Sequence, residues 1–131
     1  MSIIPESHAD ILERTTLAIV ATIGPDGEPQ NSPVWFSWDG EMLSISQTTG
    51  RQKYKNLTAD PRIAIVIVDP DDPYRYLEVR GVVERIDDDS SNEFIDSLSK
   101  RYIQVDPYPG HQPGDHRKIM RVRPTHTTHM G

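Results

Sequence analysis

The segment Ser46-Gln47-Thr48-Thr49-Gly50-Arg51-Gln52-Lys53-Tyr54-Lys55-Asn56-Leu57 concentrates the groups that could hold an anion. Arg51, Lys53 and Lys55 are three of the chain's fourteen basic residues, and no acid accompanies them, although the net charge is −6. Arg51 offers a planar fork of donors and Lys53 a mobile ammonium. The hydroxyls of Ser46 and Thr48 can complete a cradle for phosphate. Gly50 permits a close approach of backbone to ligand. A solvated basic turn accounts for the same composition, and the residues alone leave both readings open. A second segment, Pro29 to Phe36, sets Pro33 inside a strand-like run. Proline removes a ladder donor, so Pro33 marks an edge or bulge where backbone can meet a planar ligand. The plainer alternative is a blunted edge strand with Trp35 half-buried in a core.

Other chemistry is weakly represented. Cysteine is absent, which excludes disulfides, thiolate catalysis and cysteine-ligated metals. Four of the five histidines, His111, His116, His126 and His129, fall late in the chain with no HExxH pattern and no carboxylate at ligand spacing, so no metal site is expected. Nucleophile-elbow, phosphate-loop and dinucleotide fingerprints are missing. The Asp87-Asp88-Asp89 run suits a helix N-terminus better than a metal. The acidic balance argues against nucleic acid as a partner, because duplex affinity comes mostly from neutralised phosphates. No apolar run approaches the roughly 20 residues of a membrane span, and the start MSIIPESHAD lacks a secretory pattern. These features set the expectation of a cytoplasmic protein, one domain over residues 1–131.

The elements that must position the anion-binding residues are mostly strands. Ile4, His8, Ile11 and Leu12 fall at helical spacing after Pro5, predicting a short first helix. Strands are predicted over 17–23, 30–38, 42–47, 62–68, 74–86 and 118–123, with Gly24-Pro25-Asp26-Gly27 and Asp39-Gly40 as turns. The long fifth run changes phase around Gly81, as at a bulge. Lys53 to Leu57 can form a helical turn. Ser90-x-x-Glu93 reads as a capping box, with Phe94, Ile95, Leu98 and Tyr102 as one stripe of a helix over 91–103. Residues 124–131 read as a partly loose tail, which leaves no histidine in the predicted sheet. Six strands with close turns predict a mostly β fold, an antiparallel barrel with a helix packed on it.

The runs NSPVWFSWDGE (31–41), GRQKYKNLTADPRIAI (50–65), YLEVRGVVE (76–84) and YPGHQPGDHRKIMRVRP (108–124) occur in this order. Together they resemble the pyridoxamine 5'-phosphate oxidase-like split β-barrel proteins. More narrowly, they resemble the actinobacterial branch of flavin/deazaflavin oxidoreductases that uses coenzyme F420. The resemblance spans nearly the whole chain. It implies a six-stranded antiparallel split β-barrel of the FMN-binding type, built as a homodimer with cofactor at the subunit interface. By position, Ser46, Thr48, Arg51 and Lys53 would hold the cofactor phosphate, with Asn56 at the end of that cradle. Gln30, Ser32, Pro33 and Val34 would lie along the ring system, and Tyr76 would reach the cofactor from the other subunit. Trp35 and His111 would wall a small-molecule substrate. The implied activity is hydride transfer from C5 of the reduced deazaflavin to a conjugated planar acceptor, with no side chain singled out as catalytic. An FMN-dependent oxidase or reductase of the same fold, a non-catalytic flavin-cofactor carrier and a haem-binding barrel are the alternatives. Deazaflavin bears a poly-glutamyl tail that FMN lacks, and Lys55 and Arg75 are the cations available for a groove beyond the phosphate.

Overall fold

The computed structural model describes residues 3–131. Among these, seven strands form one antiparallel sheet: β1 (Ala18–Ile23), β2 (Pro29–Val34), β3 (Ser37–Trp38), β4 (Leu43–Thr48), β5 (Arg62–Val68), β6 (Tyr76–Asp88) and β7 (Arg117–Met130). Their order across the sheet is β2-β1-β5-β6-β7-β4-β3. A 3-10 helix (Glu6–Glu13) and two α-helices, α1 (Gln52–Ala59) and α2 (Glu93–Ile103), flank it. The interior is aliphatic: Val20, Ile45, Ile65, Ile67, Leu77, Val79, Met120 and Val122 are fully enclosed or nearly so. Ile11 and Leu12 of the 3-10 helix join that core.

The six expected strands become seven because the run 30–38 divides. Its first half pairs with β1 and its second with β4, so the two edge strands of the sheet are consecutive in the chain. Trp35 and Phe36 form the seam. Phe36 is fully buried there without ladder partners, and a buried peptide group left unpaired is costly. Tyr102 of α2 supplies the partner: the Phe36 N–H donates to its hydroxyl at 3.2 Å, and that hydroxyl donates to the Thr16 carbonyl at 2.7 Å.

The expected loose tail is instead strand. β7 continues to Met130, with His126 to Met130 paired against Tyr76 to Arg80 of β6. The register slips between Arg80 and Gly81, as the phase change at Gly81 suggests, and again between Val83 and Arg85. A Cβ on Gly81 would strike the Arg123 carbonyl, so glycine is required at this close approach. His126 and His129 therefore do lie in the sheet, contrary to the sequence reading. Both are exposed. The last strand also meets the first residues described. Thr127 Oγ1 donates to the Ile3 carbonyl at 2.9 Å, and the buried His8 donates from Nε2 to the Met130 carbonyl at 2.9 Å.

α2 is capped differently from the expected box. Asn92 takes the N-cap position in the left-handed region (φ 65°) and its side chain makes no cap bond. The buried Asp89 carboxylate accepts from the N–H groups of Phe94 at 3.0 Å and Ile95 at 3.1 Å. The acidic run thus serves the helix N-terminus through Asp89, while Asp87 and Asp88 pair with Arg121 and Lys118 of β7.

Candidate functional site

Strand alternation sets one wall of the site. On β4, Leu43 and Ile45 face the core, which turns Ser44, Ser46 and Thr48 to the opposite side. β7 runs beside β4 with Arg117 opposite Thr48 and Ile119 opposite Ser46. α2 contributes Ile95 and Leu98, and the loop after it contributes Tyr108. Pro33, Val34 and Trp35 close the space from the seam between β2 and β3. Arg51 and Lys53 enter from the start of α1. These elements enclose an open cavity of about 380 Å³.

The cationic side is poised for an anion. Lys53 is half-buried and donates from Nζ to Ser32 Oγ at 2.5 Å, which ties α1 to β2. Burial, and secondarily the nearby Arg51 charge, pushes the Lys53 ammonium below the ordinary lysine range. An anion seated between Arg51 and Lys53 relieves that repulsion and restores the charged form. Behind the cradle, the buried Asn56 donates to Thr22 Oγ1 and Gln30 Oε1, each at 3.0 Å, and accepts from Gln52 at 2.8 Å. Asn56 and Gln30 therefore brace α1 against β1 and β2 rather than line the cavity.

The other side is aromatic. Trp35 stacks on Tyr102 at 5.2 Å between ring centres and meets Tyr108 edge-on at 5.9 Å. Asp96 of α2 holds the Tyr108 loop. It accepts from the Tyr108 N–H at 2.8 Å and more weakly from His111 Nε2 at 3.4 Å. Gly110 packs directly under the Tyr108 hydroxyl, where a Cβ would collide with it.

The structure thus gathers Ser46, Thr48, Arg51, Lys53, Pro33, Val34 and Trp35 around one cavity, with Ser32 bonded to Lys53. His111 is not part of the lining; its ring packs edge-on behind Tyr108 at 5.3 Å. Tyr76 is not in the lining; it lies on β6 between Val68 and Met130. Arg75 does not extend a basic groove. Its guanidinium is bound by Asp10 at 2.6 Å and Asp69 at 2.8 Å, while Lys55 remains exposed on α1. Sequence reasoning missed Tyr108 and Arg117, which bracket the loop in which it named His111. Among the described residues, no group of three histidine or carboxylate side chains is placed to hold a metal ion.

Comparison with known proteins adds to this geometry. The sequence profile of the family described as pyridoxamine 5'-phosphate oxidase matches residues 4–131. A solved structure named "F420 Reductase" is 46% identical, with a TM-score of 0.86, covering 95% of this chain and 98% of that one. A conserved hypothetical protein, Rv2991 from Mycobacterium tuberculosis, is 26% identical with a TM-score of 0.75, over 98% of this chain and 85% of that one. A putative pyridoxamine 5'-phosphate oxidase from Listeria innocua shares the fold at 18% identity, with a TM-score of 0.68 and 95% of each chain covered.

Proposed function

The chain belongs to the pyridoxamine 5'-phosphate oxidase family, and from that premise we propose that it is an oxidoreductase using the deazaflavin coenzyme F420 to reduce a conjugated planar small molecule. The observation that carries the proposal is the convergence of Arg51 and Lys53, neither paired with a carboxylate among the described residues, with Ser46 and Thr48 on one cavity, Lys53 being braced by Ser32. That donor set suits a phosphate, and the Pro33–Trp35 wall suits a flat ring. Similarity to a structure named F420 Reductase favours deazaflavin over FMN. FMN remains the second reading, since its phosphate fits the same cations and the family profile is that of an oxidase named for a pyridoxal-type substrate.

When bound, the cofactor supplies a hydride at its reduced ring. The protein's part is to bind, align and exclude water. Arg51 and Lys53 neutralise the phosphate, and charge-assisted bonds of this kind contribute about 1.5–3 kcal/mol each. Pro33 and Val34 present strand backbone along the ring. Leu17, Val34, Ile95 and Leu98 line the cavity with apolar surface. Trp35 forms a flat wall against which an acceptor can be held within about 3–3.5 Å of the ring. Hydride transfer from a bound cofactor needs no protein nucleophile. The same reading places the protein in the cytoplasm as a homodimer in which the partner's Tyr76 completes the cavity. Among the described residues, no helix is long and apolar enough to cross a membrane.

Equilibrium titration with oxidised F420 and with FMN, side by side at moderate salt, tests the proposal. Tight F420 binding with weak FMN binding is expected, followed by turnover of conjugated acceptors with the reduced cofactor. The reverse order would replace it with the FMN reading, and binding of neither would overturn both. Tight F420 binding with no turnover of any acceptor would point to a carrier.

A further inference from the structure

Arg117 is the third cation of the cavity, beside Arg51 and Lys53, and it touches the proposed phosphate cradle only through Ser46. Among the described residues, every arginine outside the cavity meets a carboxylate or, as Arg101 does, several neutral oxygens. Arg51 and Arg117, the two that line the cavity, meet no carboxylate. Asp115, the one acid of the lining, accepts from the Gln112 N–H and is not paired with Arg117.

The Arg117 guanidinium is nonetheless held in place. It lies over the Tyr108 ring with its central carbon 4.9 Å from the ring centre. Its Nη1 donates to Ser46 Oγ in a long bond of 3.3 Å. Its Nε is buried without any partner. Tyr108 is in turn fixed by Asp96 through its N–H and by edge contact with Trp35. A full charge is therefore positioned beside the aromatic wall with no carboxylate partner and with its buried Nε unpaired, and an unpaired buried donor is costly. A planar fork can receive a carboxylate through two parallel bonds, and the Tyr108 and Trp35 rings beside it suit the flat conjugated body that such an acid would carry.

We propose that Arg117, set by Tyr108 and Ser46, is a specificity-determining residue that binds a carboxylate on the acceptor, so that the preferred substrates are flat conjugated acids. This rests on the reading of the cavity as a joint cofactor and acceptor site. Arg117 would orient the acceptor by its acid group while its conjugated part lies against Trp35.

The experiment titrates 2-naphthoic acid and its neutral carboxamide into wild type and Arg117→Gln. Each is run with and without saturating oxidised F420, so that no turnover occurs. Wild type should bind the acid about tenfold or more tightly than the amide, the size expected for a charge-assisted fork. Arg117→Gln should abolish that preference while changing F420 affinity by less than about threefold, because the phosphate keeps both of its charge-assisted partners. Arg117→Lys keeps the charge without the fork and should retain a reduced preference. It also serves as the test if the glutamine variant does not fold. Equal binding of acid and amide to wild type, no measurable binding of the acid, or a preference that survives Arg117→Gln would overturn the proposal. So would a loss of F420 affinity in Arg117→Gln as large as in Arg51→Ala, which would assign the charge to the cofactor. Failure of F420 to bind, with the acid preference intact on the cofactor-free protein, would instead remove the functional reading and leave the carboxylate site standing.

Discussion

Two cations share one cradle, and this makes ligand binding depend on pH. Lys53 is held below the ordinary lysine range by burial and by Arg51, so the ligand-free protein loses that proton early as pH rises. A phosphate favours the charged form. Affinity for a phosphate-bearing cofactor should therefore be full below the lowered Lys53 pKa and fall as pH rises through it, by up to about tenfold per unit. Titrations between neutral and alkaline pH would show this, and Lys53→Arg should flatten the profile. Arg51→Ala with Lys53→Ala should weaken cofactor binding by about 3–6 kcal/mol, twice the contribution of one charge-assisted bond. Unchanged affinity in the folded double variant would remove the cradle. The gathering of Ser46, Thr48, Arg51 and Lys53 around one cavity was legible in the sequence because they lie within eight residues. Arg117 was not, because it reaches Ser46 across 71 residues through the pairing of β7 with β4. That His111 stands behind Tyr108 and outside the lining was hidden for a related reason. A loop sequence names its residues but does not say which of them faces inward, and here Tyr108 does.

At the scale of elements, α2 serves the barrel and the site together. Ile95 and Leu98 line the cavity, Asp96 holds the Tyr108 loop, and Tyr102 satisfies the seam. Its N-terminus depends on the Asp89 carboxylate, which accepts two backbone N–H groups. Asp89→Ala should destabilise the protein by about 1–2 kcal/mol, the range for losing an N-terminal cap. Chemical denaturation would read this as a lower midpoint with an unchanged slope. The expected capping box failed because the helix begins at Glu93 with Asn92 as its N-cap, so Ser90 does not hold the N-cap position nor Glu93 the third helical position that the box requires. Most strands were legible, since alternation and turn residues are local signals. The division of 30–38 and the length of β7 were not. The first depends on Tyr102 of a distant helix, and the second on β6 being long enough to pair with Thr-His-rich residues of no clear pattern.

For the whole molecule, the cavity of the single chain is open and Tyr76 is not in its lining. A homodimer that brings the partner's Tyr76 to the cofactor predicts a solution mass near twice 14.9 kDa at micromolar concentration. Light scattering measures it directly, and a mass of one chain would count against a shared site. Tyr76→Ala should then weaken cofactor binding without acting through the protomer that carries it. The fold as a class was readable from strand count and turn spacing, whereas nothing local in the sequence encodes which surface a second copy covers.

The meeting of Ile3 with Thr127, and of His8 with Met130, has a topological consequence. The first described residues stand beside the last strand, so the order in which the strands are synthesised is separable from the order in which they pair. Joining the ends through a short glycine-serine linker and opening the chain at the exposed Asp26-Gly27 turn would leave every strand pairing intact. Such a circular permutant should fold to the same sheet, retain the Arg51–Lys53 cradle and bind cofactor with affinity close to that of the parent, as a titration of the purified permutant would show.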